Sequence, residues 1–192
     1  DEAVDVFLDA VETLLSESPR NDHRYTVQHC QLTTPEQYER IASLGMCANL
    51  FSNHTWYWGD QHVASTVGPE RASRMNSART ALDAGIPISM HCDAPVTPLG
   101  SLHVAWAAVN RQTASGHILG PEECISVEEA LHAVTLGAAY QIKMDTEIGS
   151  ITSGKFADLA ILDEDPYTTD PHNLRDVPIW GTMLGGRIFS VG

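Results

Sequence analysis

The sequence is poor in positive charge. Eleven Lys and Arg stand against 25 Asp and Glu, a formal net charge of −14 over 192 residues. No stretch gathers basic residues, so nucleic acid is not an expected partner. Long apolar runs are missing as well. None approaches the ~20 residues that span a bilayer, and no membrane partner is expected. Cysteine is scarce: Cys30, Cys47, Cys92 and Cys124 lie far apart and form no CxxC pair. That spacing argues against a disulfide framework and suggests reduced thiols in a cytoplasmic protein. Several chemistries leave no signature, since GxSxG, a GK[ST] phosphate loop, GxGxxG after a strand and HExxH are all absent. No leader pattern opens the chain. The first residues, "DEAVDVFLDAVETLL", read as the inside of an amphipathic helix with no initiator Met, which suggests a fragment.

What is present is an alternation. Val4, Phe7, Leu8, Val11, Leu14 and Leu15 recur at three- and four-residue steps, predicting a helix with one buried face. "RYTVQHC" (24–30) predicts a strand. "TTPEQYERIASLG" predicts a helix with Thr34 as N-cap, Pro35 at its first position, Gln37 closing a capping box and Gly45 as its stop. "MCANLF" predicts a second strand, and "SNHTWYWGDQHVAST" a long polar and aromatic loop. A helix is expected from about Pro69 to Ala84, stopped by Gly85, then a third strand, "IPISM", and helices over "SLHVAWAAVNRQTA" and "SVEEALHAVTLGAAYQ". Such alternation predicts an α/β chain with a parallel sheet and crossover helices. After Gln141 the pattern changes to short β segments, "IGSITSGKFADLAILDEDP" and "VPIWGTMLGGRIFSVG", read as a small antiparallel appendage.

The candidate chemistry lies where strands end, because parallel α/β folds gather functional groups there. The first strand ends in Gln28–His29, the second leads through Asn49 to Asn53–His54, and the third ends in His91–Cys92–Asp93. Residues two apart in a strand share a face, which groups Ser89, His91 and Asp93 against Ile86, Ile88 and Met90, and Tyr25, Val27 and His29 together. Taken singly, His29 reads as either a structural histidine or a ligand, and Asp93 as either a ligand or an Asx-turn residue before Pro95. The stretch Asn53 to His62 reads as either a folded surface loop or a wall around a substrate. In the second reading His54, Tyr57, Trp58 and Asp60 face substrate. His23, His103, His117, His132 and His172 are assigned no role.

The segments "VQHCQL", "LFSNHTWYWGDQH", "ISMHCDAPVTP", "EEALHAVTLGAAYQ", and above all "GSITSGKFADLAIL" with "TMLGGRI", resemble the amidohydrolase superfamily of metal-dependent hydrolases. The resemblance is to the subgroup that includes N-substituted formamide deformylase-like proteins. It implies the C-terminal part of a (β/α)8 TIM barrel, its last three strands and their helices, over residues 1–145. Residues 146–192 are then the C-terminal part of a small β-sandwich. It further implies a divalent metal, zinc by preference, as one or two ions. His29 and Asp93 are the matching ligands, Asp93 is also the catalytic proton carrier, and His54 and His91 are substrate-binding groups. The family's strand-1 HxH pair, strand-4 ligand and strand-5 His have no counterpart here, so the chain alone is not expected to bind a metal pair. The implied reaction is hydrolysis of a C–N, amide-like bond of a small molecule, with a homodimer as a candidate assembly. A non-catalytic regulatory or binding homologue, and an ester or lactone hydrolase on the same scaffold, remain open alternatives.

Overall fold

The computed structural model describes residues 1–190; Val191 and Gly192, the end of the last predicted β segment, lie outside the described residues. The expected alternation is observed. In chain order come α1 (Glu2–Glu17), β1 (Thr26–His29), α2 (Pro35–Ser43), β2 (Cys47–Leu50), α3 (His54–Gln61), a π-helical turn (His62–Thr66), α4 (Gly68–Ser73) and α5 (Ala78–Asp83). They are followed by β3 (Ile88–Met90), α6 (Ser101–Asn110), α7 (Val127–Val134), α8 (Leu136–Gln141), β4 (Leu159–Leu162), β5 (Ile179–Leu184) and β6 (Arg187–Ser190).

Strands β1, β2 and β3 form a parallel sheet in that order, with Val27 opposite Ala48 and Ala48 opposite Ile88. One face carries Val27, Ala48, Leu50, Ile88 and Met90 into a core shared with Leu8, Val11, Tyr38, Ile41, Val104 and Trp106. Burying each such aliphatic side chain contributes roughly 1.5–3 kcal/mol. The other face carries a polar row. Asn49 donates to Gln28 at 2.7 Å, and Ser89 lies 2.9 Å from Asn49 and 2.6 Å from Gln141. Strands β4, β5 and β6 form a separate antiparallel sheet. The four cysteines are free thiols, three of them buried. Among the described residues no helix is long and apolar enough to cross a membrane.

Both capping boxes are present, Thr34 with Gln37 and Ser126 with Glu129. Other expectations need correction. Phe7 and Leu14 of α1 are 41% exposed, so the buried face of that helix narrows to Leu8 and Val11, flanked by Val4 and Leu15. The expected loop from Ser52 to Thr66 is α3 and the π-helical turn. The helix predicted from Pro69 to Ala84 is two helices. Between them Asn76 takes a left-handed φ of +51°, and the carbonyls of Ser73, Met75 and Asn76 point to the buried Arg111 guanidinium. The helix over 126–141 breaks at Thr135. There α8 presses so close to β3 that a Cβ on Gly137 would lie 2.3 Å from the Ile88 carbonyl oxygen. Helix α6 ends at Asn110, where Arg111 turns left-handed.

Candidate active site

The three parallel strands deliver their last residues to one end of the sheet. Phe51 N–H donates to the His29 carbonyl at 3.3 Å, and His91 N–H to the Leu50 carbonyl at 3.0 Å, which aligns the three strand ends. At this level the strands stop and the backbone turns. His29 has φ +67° and Asp93 has φ +54°. A left-handed backbone on a non-glycine residue is uncommon and stores strain, and such residues concentrate at functional sites. His29 closes β1 opposite Leu50, while β3 ends at Met90, so Asp93 lies beyond the strand that carries Ser89.

Helix α3 forms the wall, held by buried polar ties. Ser52 donates to the Val104 carbonyl at 2.8 Å, and the fully buried Asn53 donates to Thr97 at 2.9 Å, joining the helix start to α6 and to the segment after β3. Gly59 sits where a Cβ would come within 2.7 Å of Thr113, so this side of α3 packs closely. Trp56 turns inward against Trp106, their ring centroids 5.3 Å apart. Residues four apart share a helix face, and His54, Trp58 and His62 occupy the face opposite.

The result is an open cleft of about 520 Å³ lined by His29, Gln31, Phe51, His54, Trp58, Asp93 and Val96. His29 and Asp93 enter no side-chain hydrogen bond or ion pair with the described residues. His29 makes ring contacts alone, 4.8 Å from His91 and 5.6 Å from Phe51. His91 stacks on Phe51 at 5.1 Å, its Nε2 buried without a partner among the described residues. It faces a second, adjoining cavity of about 410 Å³, which Asp93 also lines. His54 packs edge-on against Trp58 at 4.5 Å and lies 3.3 Å, Nε2 to Nε2, from His62. Burial pushes His54 down to about 4, with His62 and His29 adding to the effect and Asp93 opposing it. Burial and His29 likewise lower His91, against Asp93. Both imidazoles are therefore neutral near pH 7.

Of the residues singled out from the sequence, His29, His54, Trp58 and Asp93 line one cleft, and His91 stands beside it. Tyr57 does not line it. Its ring packs on Trp58 at 5.5 Å and His103 at 5.7 Å. Asp60, in the same stretch, caps the Ser115 backbone and hydroxyl at 3.0 and 2.7 Å. Sequence reading passed over Gln31, Phe51, Val96 and His62; the four-residue spacing of His54, Trp58 and His62 was the available signal for the last. Among the described residues, no three His, Cys, Asp or Glu side chains converge as a metal site would require. His29 and Asp93 supply a neutral nitrogen and a carboxylate, donors that suit a divalent ion such as zinc. They fit as two members of a larger ligand set.

Comparison with known proteins points the same way. The amidohydrolase family profile matches residues 1–189. N-substituted formamide deformylase from Arthrobacter pascens is 29% identical over 184 residues, which are 96% of this chain and 34% of that protein. The Arabidopsis thaliana protein LONG AFTER FAR-RED 3 is 29% identical over 97% of this chain and 32% of its own length. Among solved structures, a metal-dependent hydrolase from Pyrococcus horikoshii superposes with a TM-score of 0.74 at 25% identity, covering 89% of this chain and 34% of that one. The chain thus spans about a third of the length of the relatives it matches.

Proposed function

The chain belongs to the amidohydrolase family, and on that premise we propose that it forms the C-terminal part of a metal-dependent hydrolase that cleaves a C–N, amide-like bond of a small molecule. One observation carries the proposal: two strand ends bring His29 and Asp93 into one cleft, both with left-handed backbone, both with side chains that enter no hydrogen bond or ion pair among the described residues. Residues 1–145 are read as the last three strands and helices of a TIM barrel, and residues 146–192 as part of a β-sandwich. The remaining ligands would come from sequence outside this chain.

His29, through one ring nitrogen, and Asp93, through a carboxylate oxygen, would hold a divalent ion, with zinc the preferred identity. When bound, such an ion supplies a Lewis acid and lowers the pKa of water toward 7. Asp93 stands at the lip of the cleft and so can accept a proton from the attacking water at one oxygen. It then passes that proton to the nitrogen that leaves. His54 and His91, both neutral, polarise or position the substrate carbonyl. Trp58, Phe51 and Val96 provide apolar walls that exclude water from the reacting groups.

The test is turnover by the full-length protein on a panel of N-substituted formamides, hydantoins and lactones. Hydrolysis of at least one C–N substrate class in preference to lactones is expected. Lactone hydrolysis alone would move the assignment to ester chemistry, and no turnover on any class would contradict an enzymatic role.

A further inference from the structure

The rim of the cleft carries a hydrogen-bonded chain that the chemistry above leaves unused. His62 opens the π-helical turn. Its Nδ1 lies 2.6 Å from Thr66 Oγ1, and its Nε2 lies 3.0 Å from the Gln31 amide nitrogen and 3.3 Å from His54 Nε2. Thr66 Oγ1 also lies 3.4 Å from the Gln61 carbonyl, which can accept but not donate. The Gln31 amide nitrogen donates and cannot accept, which leaves the His62 proton on Nδ1, donated to Thr66 Oγ1. A neutral imidazole holds one proton, so His62 Nε2 is a bare acceptor. The Gln31 amide N–H donates to it. His54 Nε2 meets the same lone pair and must carry a proton to bond there. His54 Nδ1 is then bare, and it is indeed buried with no partner among the described residues. An unpaired buried acceptor is tolerated better than an unpaired buried N–H, so the orphaned atom agrees with the direction imposed by Thr66 and Gln31.

We propose that His62, backed by Thr66 and Gln31, is a positioning residue that fixes His54 in the Nε2–H form and so makes it a hydrogen-bond donor in the cleft. A substrate carbonyl oxygen arriving beside His54 takes over that N–H, while the Gln31 amide continues to satisfy His62 Nε2. The role in turnover rests on the reading of His54 as a carbonyl-polarising group; the tautomer itself does not.

Nitrogen NMR of full-length protein labelled with 15N-histidine reads the tautomer directly, with the His54 signals assigned by their loss in His54→Gln. Wild-type His54 is expected to show a pyrrole-type Nε2 and a pyridine-type Nδ1. His62→Leu is expected to mix or reverse that pattern and to lower kcat by about 10- to 100-fold, the range seen when the outer partner of a functional histidine is removed, with KM changed by no more than about twofold. His62→Gln keeps an acceptor oxygen and is expected to restore both the tautomer and most of kcat. Thr66→Val, at the exposed end of the chain, decides the matter if His62→Leu does not fold. Losing the Nδ1–H acceptor there shifts the His54 nitrogens in the same direction. A pyrrole-type Nδ1 on wild-type His54, or His54 resonances unmoved in His62→Leu, or in Thr66→Val where His62→Leu does not fold, would overturn the proposal. If the wild type hydrolyses nothing on the panel, the proposed function fails while the resonances still decide the tautomer.

Discussion

Arg111 and His29 sit in two polar neighbourhoods that treat their hydrogen-bonding groups in opposite ways. Arg111 is 1% exposed, and its guanidinium donates to the carbonyls of Leu119, Asn76, Ser73 and Met75 at 2.6 to 3.1 Å. Nearby, the buried Glu123 carboxylate accepts from both the backbone N–H and the hydroxyl of Thr80. These charged groups are buried and bonded, as structural charges must be. His29 and Asp93 share the left-handed backbone of Arg111 and Asn76, yet their side chains enter no hydrogen bond or ion pair among the described residues. A charge saturated with backbone partners stabilises the fold. A donor or acceptor held open in a strained turn is available to something the chain does not contain.

That contrast predicts which substitutions cost activity and which cost stability. Asp93→Asn should have the largest effect, lowering turnover by about 10³-fold or more while the melting temperature stays near wild type. Asparagine tolerates a left-handed backbone as well as aspartate does, so the strain is unchanged and what is lost is the carboxylate, as acid–base group and as metal ligand together. Undiminished hydrolysis would remove Asp93 from the chemistry. Arg111→Met should do the reverse. It leaves four carbonyls without their donor and is expected to cost about 3–5 kcal/mol in urea unfolding, with kcat of the folded fraction near wild type. A smaller contrast separates two neighbouring aromatics. Trp58→Ala should raise KM about tenfold, because Trp58 walls the cleft and supports His54, whereas Tyr57→Ala should change it by less than about twofold. Equal effects in steady-state kinetics would show that the cleft extends past Tyr57.

The same contrast explains what could be read from the sequence. Helices α2 and α7 were legible because Thr34–Gln37 and Ser126–Glu129 are local capping boxes. The parallel strands were legible as short β-rich runs between helical periods. His29 and Asp93 were legible as polar residues where those runs stop. Helix α3 was not, because Asn53, the residue in the capping position, makes no cap bond and gives its amide to Thr97, 44 residues away. The breaks at Asn76 and Thr135 were hidden for the same reason: their causes, Arg111 and the close approach of Gly137 to β3, are distant in the chain. His62 was hidden inside what looked like a loop, since its spacing from His54 and Trp58 has meaning only on a helix.

Metal analysis of the purified full-length protein asks whether the open strand ends hold a divalent metal. One or two equivalents of a divalent ion, zinc foremost, are expected in the wild type, with the loss of at least one equivalent in both His29→Gln and Asp93→Asn and the circular dichroism spectrum unchanged. A wild type without stoichiometric metal, or both variants retaining the wild-type content, would contradict that expectation.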